Sequence, residues 1–183
     1  MIILASASPQ RKKLLESCGL EFKIIPASVD EVFDEKWDKY KVVLHLAFIK
    51  AFKIANLYPD DIIIGSDTIV VLNNKIYGKA ETREEAFQML KDFSGKTHSV
   101  ITGVTIINKN QTETFYDESF VTFRELSNEE IYNYIDCEEY KDKAGSYAIQ
   151  GRAKGLIEKF TGSLNNIVGF PTEMFIERFK NYK

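Results

Sequence analysis

The stretch Ile62-Ile63-Ile64-Gly65-Ser66-Asp67-Thr68-Ile69-Val70-Val71 places one acidic side chain between two runs of strand-forming apolar residues. It predicts two strands broken at Gly65 to Asp67, with Asp67 at a strand end. An unpaired buried carboxylate costs several kcal/mol, so Asp67 needs a metal ion, a basic partner or water beside it. Gly-Ser-Asp also forms ordinary turns, so this stretch alone leaves an active site and a simple turn both open.

The N-terminus indicates a second part of a site. Residues 1–5 predict a buried strand, and the sequence then turns into a helix with Ser8 as N-cap and Pro9 at the first helical position. Free backbone N–H groups at such a helix start favour anions, and Arg11 and the two lysines after it add positive charge. The pattern predicts an anion site, although solvated basic residues on an ordinary surface helix would look the same.

Length and composition limit the protein class. A chain of 183 residues with 44% hydrophobic residues can bury a full core, as one domain or as two closely packed lobes. The net charge of -3 argues against general electrostatic binding of nucleic acid or of anionic membranes. No apolar run approaches the roughly 18 residues of a membrane span, and no signal peptide pattern is present, so a cytoplasmic protein is expected.

Cys18 and Cys137 lie far apart without metal-site spacing and are expected to be free thiols.

The order of apolar patterns predicts an α/β protein with a mixed twisted sheet flanked by helices. Strands and helices do not alternate regularly enough for a doubly wound sheet. The predicted strands after the first cover residues 21–26, 61–72, 75–77, 98–108 and 111–126. The predicted later helices cover residues 37–57, 82–93 and 127–137 and a segment that begins after Pro171. Asn73-Asn74 predicts a hairpin turn.

Further polar residues near the ends of predicted elements extend the candidate site. Glu31 could join Asp67 as a second oxygen ligand, because Mg²⁺ typically takes one or two carboxylates and completes its shell with water and phosphate. Other acidic residues nearby make a solvated acidic turn an equally open interpretation of Glu31. The cations that could face a triphosphate beside Arg11 are Lys50, Lys79, Lys96 and His98, although each alone is typical of a protein surface.

The segment Ser94-Gly95-Lys96-Thr97 ends like a phosphate-binding P-loop. That motif needs glycine at position 90, where this chain has Leu90, and it needs a preceding strand where a helix is predicted. Dinucleotide-binding, serine-hydrolase and zinc-peptidase motifs are missing from the sequence as well.

Five blocks spread nearly from one end of the chain to the other are informative when taken together. They are Leu4-Ala5-Ser6-Ala7-Ser8-Pro9-Gln10-Arg11, Gly65-Ser66-Asp67-Thr68, residues 94–102, residues 142–151 and Asn166-Ile167-Val168-Gly169-Phe170-Pro171. In type and order these blocks resemble the Maf family of nucleoside triphosphate pyrophosphatases.

The resemblance implies a fold similar to that of inosine triphosphate pyrophosphatases. Residues 1–183 would form a single Maf-like domain of two lobes, with a central nucleotide cleft and usually a homodimer. The family's catalytic base matches Asp67, and the residues that distinguish its dTTP and UTP branch match Arg11, Thr68 and Gln150. Positions in the family's metal and phosphate site match Glu31, Lys50 and Lys79.

The chain departs from the family pattern in several places. Gln10 replaces a second arginine after the proline, which removes one cation from the predicted triphosphate site. Ala80 replaces a proline after Lys79, and Ser146 and Ala148 replace the commoner alanine and glycine.

The resemblance implies hydrolysis of dTTP, UTP and modified pyrimidine nucleotides to the monophosphate and pyrophosphate. A free aspartate has a pKa of roughly 3.9 and is a weak base, so a divalent cation, Mg²⁺ or Mn²⁺, is expected to activate the water. The amide of Gln150 and the hydroxyl of Thr68 can form hydrogen bonds with the edge of a pyrimidine base. Ser8 is also expected to bind the substrate. Two alternatives remain open, which are a regulatory nucleotide-binding protein that affects septum formation and a pyrophosphatase for methylated guanosine triphosphate.

Overall fold

In residues 1–182, which the computed structural model describes, seven strands form one mixed sheet. The strands are β1 (Ile2–Leu4), β2 (Lys23–Ile24), β3 (Ile62–Leu72), β4 (Lys75–Tyr77), β5 (Thr97–Ile107), β6 (Thr112–Phe123) and β7 (Ile157–Thr161). Their order in the sheet is β2-β1-β3-β5-β6-β7, and β4 pairs with β3. β1 runs parallel to β2 and β3, whereas β4 and β7 run antiparallel to their partners. The predicted mixed sheet is confirmed.

Three of the helices begin at the capping residues that the sequence predicts, Ser8, Thr82 and Ser127. The helices are α1 (Pro9–Ser17), α2 (Lys39–Ala55), α3 (Arg83–Phe93), α4 (Asn128–Ile135), α5 (Leu164–Val168) and α6 (Thr172–Phe179), with short 3-10 helices at Arg152–Leu156 and Lys180–Tyr182. Ser8, Thr82 and Ser127 each accept a hydrogen bond from the backbone N–H three residues later. None of the helices in residues 1–182 has the length and apolar character needed to cross a lipid bilayer.

The prediction of two strands broken at Gly65 to Asp67 is wrong, because β3 is continuous from Ile62 to Leu72. Successive side chains of a strand point to opposite faces, so Gly65 and Asp67 share one face of β3. Asp67 stays within the strand because the ammonium group of Lys50 lies against it. The sequence around Asp67 indicates a strand break because this partner is 17 residues away along the chain.

The chain divides into two compact units. Unit 1 comprises Met1–Thr68, Thr102–Asp117 and Gly169–Lys183, and unit 2 comprises Ile69–Ile101 and Glu118–Val168. In unit 1 the neighbours Ile63 and Ile64 belong to different hydrophobic clusters, so both faces of its strands are covered. The cluster around Ile64 includes residues of α1 and α6, and the cluster around Ile63 includes residues of α2.

Two glycines bring α2 close to the strands of unit 1. A Cβ atom at Gly65 of β3 would lie 2.6 Å from the carbonyl oxygen of Ala47 and 2.6 Å from the amide nitrogen of Ala51. At Gly103 of β5 it would lie 2.6 Å from the carbonyl oxygen of Val43. These atoms belong to the helix backbone, which cannot turn aside as a flexible side chain can. The helix axis therefore approaches the sheet only because both positions lack a side chain.

The core of unit 2 encloses a histidine. His98 on β5 is 2% exposed, and its Nε2 lies 2.7 Å from the hydroxyl oxygen of Tyr147. Its ring stacks on Phe93 and meets the edge of Phe123. Its other ring nitrogen, Nδ1, has no hydrogen-bond partner among the described residues. Burial lowers the pKa of His98 from 6.5 to about 4.

We predict that Gly65→Ala lowers the free energy of unfolding by about 1–3 kcal/mol, because the new methyl group overlaps the backbone of α2. Urea denaturation measures this change. The matched control is Gly155→Ala, where a Cβ atom meets nothing within 4 Å. Equal stabilities of the two variants would contradict the close approach of α2 at Gly65.

We predict that His98 makes the protein less stable in acid. The unfolded chain takes up a proton at this residue as the pH falls below 6.5, whereas the folded protein does so only near pH 4. The contribution of neutral His98 to the free energy of unfolding is therefore fully present above pH 6.5. It is lost progressively between pH 6.5 and 4, and the loss is about 2 kcal/mol at pH 5. Unfolding measured from pH 7 to 5 should show a shallower pH dependence in His98→Phe than in the wild type. The control is His45→Gln at a partly exposed position, and an unchanged slope in His98→Phe would exclude the effect.

Candidate active site

Lys50 holds two carboxylates together in unit 1. Its Nζ atom lies 2.5 Å from Oδ1 of Asp67 and 2.7 Å from Oε1 of Glu31. The side chains of Lys50 and Asp67 are each 12% exposed, whereas that of Glu31 is 55% exposed. No hydrogen bond within residues 1–182 uses Oδ2 of Asp67. The cluster therefore has a half-open side on which one carboxylate oxygen can meet a ligand.

The packing of α2 explains why Lys50 reaches Asp67. Lys50 is flanked on the helix by Ala47 and Ala51, which are fully buried. These small side chains and Gly65 allow the helix to lie against β3. The aliphatic part of Lys50 is covered, and its charged end meets the one acidic side chain on this stretch of the strand.

Arg11 lies on α1 and makes three hydrogen bonds through its guanidinium group. Nε donates to the carbonyl oxygen of Gly169 at 3.0 Å, Nη1 to Oγ of Ser6 at 3.3 Å, and Nη2 to Oγ1 of Thr68 at 3.0 Å. All three acceptors are neutral. The group has five N–H donors, so two remain for a substrate. A positive charge is thus fixed in place without being neutralised by a bonded carboxylate.

The electrostatic surroundings of Arg11 include the carboxylate cluster. Burial lowers the pKa of its guanidinium from the ordinary value, while the negative charges of Asp67 and Glu31 act in the opposite direction. Asp67 and Thr68 are neighbours on β3 and point to opposite faces of the strand. Lys50 and Arg11 therefore bond to β3 from its two faces, at adjacent residues.

The start of α1 only partly matches the predicted anion site. Pro9 has no N–H group, the N–H of Arg11 donates to Oγ of Ser8, and the N–H of Ser8 donates to Oγ of Ser6. Two of the backbone donors are therefore used within the chain. The backbone at the start of α1 therefore leaves fewer donors for an anion than the sequence pattern predicts.

The carboxylate cluster contains oxygen atoms of the kind that bind divalent cations. Within residues 1–182 no group of three or more His, Cys, Asp or Glu side chains could hold a metal ion. Glu31 and Asp67 nevertheless meet at one nitrogen atom, and Mg²⁺ commonly takes two carboxylates together with water and substrate phosphates. The described residues thus offer two carboxylates to a cation but do not form an all-protein cage.

Four of the predicted site residues belong to unit 2. Lys79, Lys96 and Gln150 are exposed there, and their roles stay predictions. The expectation that His98 supplies a positive charge is wrong. It is buried with a pKa lowered to about 4, so it is neutral at pH 7.

Three residues of the arrangement were not singled out from the sequence. Ser6 and Gly169 accept hydrogen bonds from Arg11, and Thr102 on β5 lies with its Oγ1 atom 2.9 Å from Oγ1 of Thr68. All three lie within the sequence blocks that resemble the Maf family, and this was the one signal in the sequence that could have indicated them. Their roles depend on contacts between distant parts of the chain, and residue type alone does not indicate these.

Comparison with solved structures agrees with the fold. The structure of the Staphylococcus aureus Ham1 protein matches with a TM-score of 0.55 and 12% sequence identity, over 100% of this chain and 99% of that one. At this identity the likeness concerns the fold alone, and it confirms the predicted fold class.

Comparison with curated proteins gives much closer relatives. The dTTP/UTP pyrophosphatase of one strain of Bacillus cereus is 42% identical over 181 residues, which cover 99% of this chain and 95% of that protein. The proteins of the same name from Bacillus anthracis and from a second strain of Bacillus cereus are 43% and 44% identical with the same coverage. The family model described as Maf-like protein matches residues 1–182. The chain therefore belongs to the Maf family.

Proposed function

We propose that this protein hydrolyses dTTP, UTP and modified pyrimidine nucleoside triphosphates to the monophosphate and pyrophosphate. The observation that carries the proposal is its 42–44% identity, over 99% of its length, to proteins named dTTP/UTP pyrophosphatase. Hydrolysis of unwanted triphosphates would cleanse the nucleotide pool.

The chemistry needs a base and a positive environment. A water molecule attacks the α-phosphorus, the bond from that phosphorus to the bridging oxygen breaks, and pyrophosphate leaves with the electron pair. Asp67 supplies the base in this proposal, because Lys50 fixes its Oδ1 atom and Oδ2 is left to accept the proton of the water. The ammonium group of Lys50 lies against Asp67 and can attract a phosphate oxygen, whereas the guanidinium group of Arg11 lies on the other face of β3 and is assigned to the nucleobase.

A divalent cation, Mg²⁺ or Mn²⁺, belongs to the same proposal, with Glu31 and Asp67 as the residues that would hold it. When bound, such an ion acidifies a water molecule and draws negative charge from the phosphate oxygens. Asp67 would then act either as a ligand or as the base.

The remaining substrate contacts are proposed from the resemblance. Arg11, Thr68 and Gln150 read the base, Ser8 holds the turn before α1, and Lys79 and Lys96 face the phosphates. The proposal also includes a single Maf-like domain over residues 1–183 and a homodimer. Because nucleoside triphosphates are made and consumed in the cytoplasm, we place the activity there, without a role in binding nucleic acid or membranes.

Pyrophosphate release from dTTP, UTP, CTP and GTP tests the substrate class, and it should be fastest with dTTP and UTP. The same reactions with excess chelator should be inactive, because one aspartate is too weak a base for unactivated water. Absence of pyrophosphate release from all four nucleotides in the presence of Mg²⁺ or Mn²⁺ would refute the proposal. It would favour a regulatory protein that only binds nucleotides.

We predict that Asp67→Asn abolishes most turnover, because the amide has nearly the same shape but cannot take the proton from water. The expected loss in kcat is at least about a hundredfold. The matched control is Asp92→Asn in unit 2. Asp92 is half-buried, accepts a hydrogen bond from the hydroxyl group of Tyr77 and lies near the ammonium group of Lys75. Near wild-type turnover by a folded Asp67→Asn protein would rule out Asp67 as the base.

A further inference from the structure

Thr68 lies in a chain of three hydrogen-bonding groups in unit 1. Its Oγ1 atom accepts a hydrogen bond from Nη2 of Arg11 at 3.0 Å and lies 2.9 Å from Oγ1 of Thr102. Thr102 has no exposed surface, whereas Thr68 is partly exposed. A ligand can therefore contact Thr68 directly, whereas Thr102 can influence the ligand only through its bond to Thr68.

The hydroxyl group of Thr68 has one proton and two lone pairs. Arg11 occupies one lone pair, since a guanidinium group can only donate. If Thr102 donates to Thr68, both lone pairs are used, and the proton of Thr68 faces the ligand. If Thr68 donates to Thr102, one lone pair remains, and Thr68 accepts from the ligand. The direction of this single bond decides whether Thr68 is a donor or an acceptor.

The charge of Arg11 favours the second direction. A hydroxyl oxygen that accepts a bond from a cation is polarised, which makes its proton a better donor. The sequence of bonds then runs from Arg11 to Thr68 and from Thr68 to Thr102, each donating to the next. Hydrogen bonds aligned in this way strengthen one another.

We propose that Thr102 is a positioning residue for substrate selection, which takes the proton of Thr68 and so leaves Thr68 as a hydrogen-bond acceptor beside the donors of Arg11. This inference rests on the proposed hydrolysis of pyrimidine triphosphates. It adds a buried residue on β5 that has no contact with the substrate.

An acceptor next to a donor matches one pyrimidine edge and rejects another. Uracil and thymine present an N3–H donor between two carbonyl acceptors, so N3–H can donate to Thr68 while a carbonyl accepts from Arg11. Cytosine has a lone pair at N3, which would face the lone pair of Thr68 without a proton between them. Guanine also has a carbonyl beside an N–H group, so CTP, a pyrimidine of the same size, is the informative comparison.

The variant Thr102→Val keeps the shape of the side chain but removes the acceptor for the Thr68 proton. Thr68 can then turn its proton toward the ligand and satisfy N3 of cytosine. We expect kcat/KM for UTP relative to CTP to fall by roughly tenfold, mainly through loss of activity on UTP. Thr102→Ser keeps the hydroxyl group and should restore the ratio to near the wild-type value.

The matched control is Thr105→Val. Thr105 is also on β5 and fully buried, and its Oγ1 atom lies 3.0 Å from that of Thr114, so this variant loses the same kind of hydroxyl pair. Its ratio of UTP to CTP should stay as in the wild type. A ratio unchanged in Thr102→Val, or changed equally in both valine variants, would overturn the proposal.

A second measurement needs no variant and therefore does not depend on folding. The wild-type protein should cleave 3-methyl-UTP, which has no N3–H donor, no better than CTP. Cleavage of 3-methyl-UTP at the rate of UTP would overturn the acceptor role of Thr68. Failure of the proposed function would look different, since the wild type would then release pyrophosphate from none of these nucleotides.

Discussion

The hydrogen bonds of one guanidinium group, with the bond that Thr68 adds, connect the three chain segments of unit 1. The unit is built from three chain segments, and Arg11 of the first segment bonds to Thr68 at the end of that segment and to Gly169 at the start of the third. Thr68 in turn bonds to Thr102 at the start of the second. Burying this cation is unfavourable, and burial lowers the pKa of Arg11 for the same reason. Three hydrogen bonds and the charges of two carboxylates offset that cost.

The alternation of side chains along β3 separates two chemical tasks by a single peptide unit. Asp67 faces α2 and bonds to Lys50, whereas Thr68 faces α1 and bonds to Arg11. Because Arg11 uses neutral acceptors, it does not compete with Lys50 for the carboxylate. Asp67, the proposed catalytic base, and Thr68, which is proposed to contact the nucleobase, are therefore neighbours in sequence. Each bonds to its own cation.

Local signals in the sequence predicted local structure well. Ser8, Thr82 and Ser127 begin helices where their spacing indicated, and Asn73 and Asn74 adopt the positive φ angles of a tight hairpin turn. The sequence failed where distant residues decide the outcome. The charge of Asp67 suggested a strand end, and only the helix carrying Lys50 shows why it stays inside β3. The sequence around His98 does not show that Phe93, Phe123 and Tyr147 enclose it, and for this reason sequence analysis alone groups it with the cations.

β3 contains two residues that weaken a strand when each is considered alone. Glycine costs about 0.5–1 kcal/mol in a strand interior, and an aspartate there needs a partner for its charge. Gly65 and Asp67 are two residues apart and face the same helix, so α2 resolves both. The missing side chain of Gly65 lets α2 approach, and that approach brings Lys50 to Asp67. A β-branched residue at position 65 would suit an isolated strand better, but it would push away the helix that carries the partner of the proposed base.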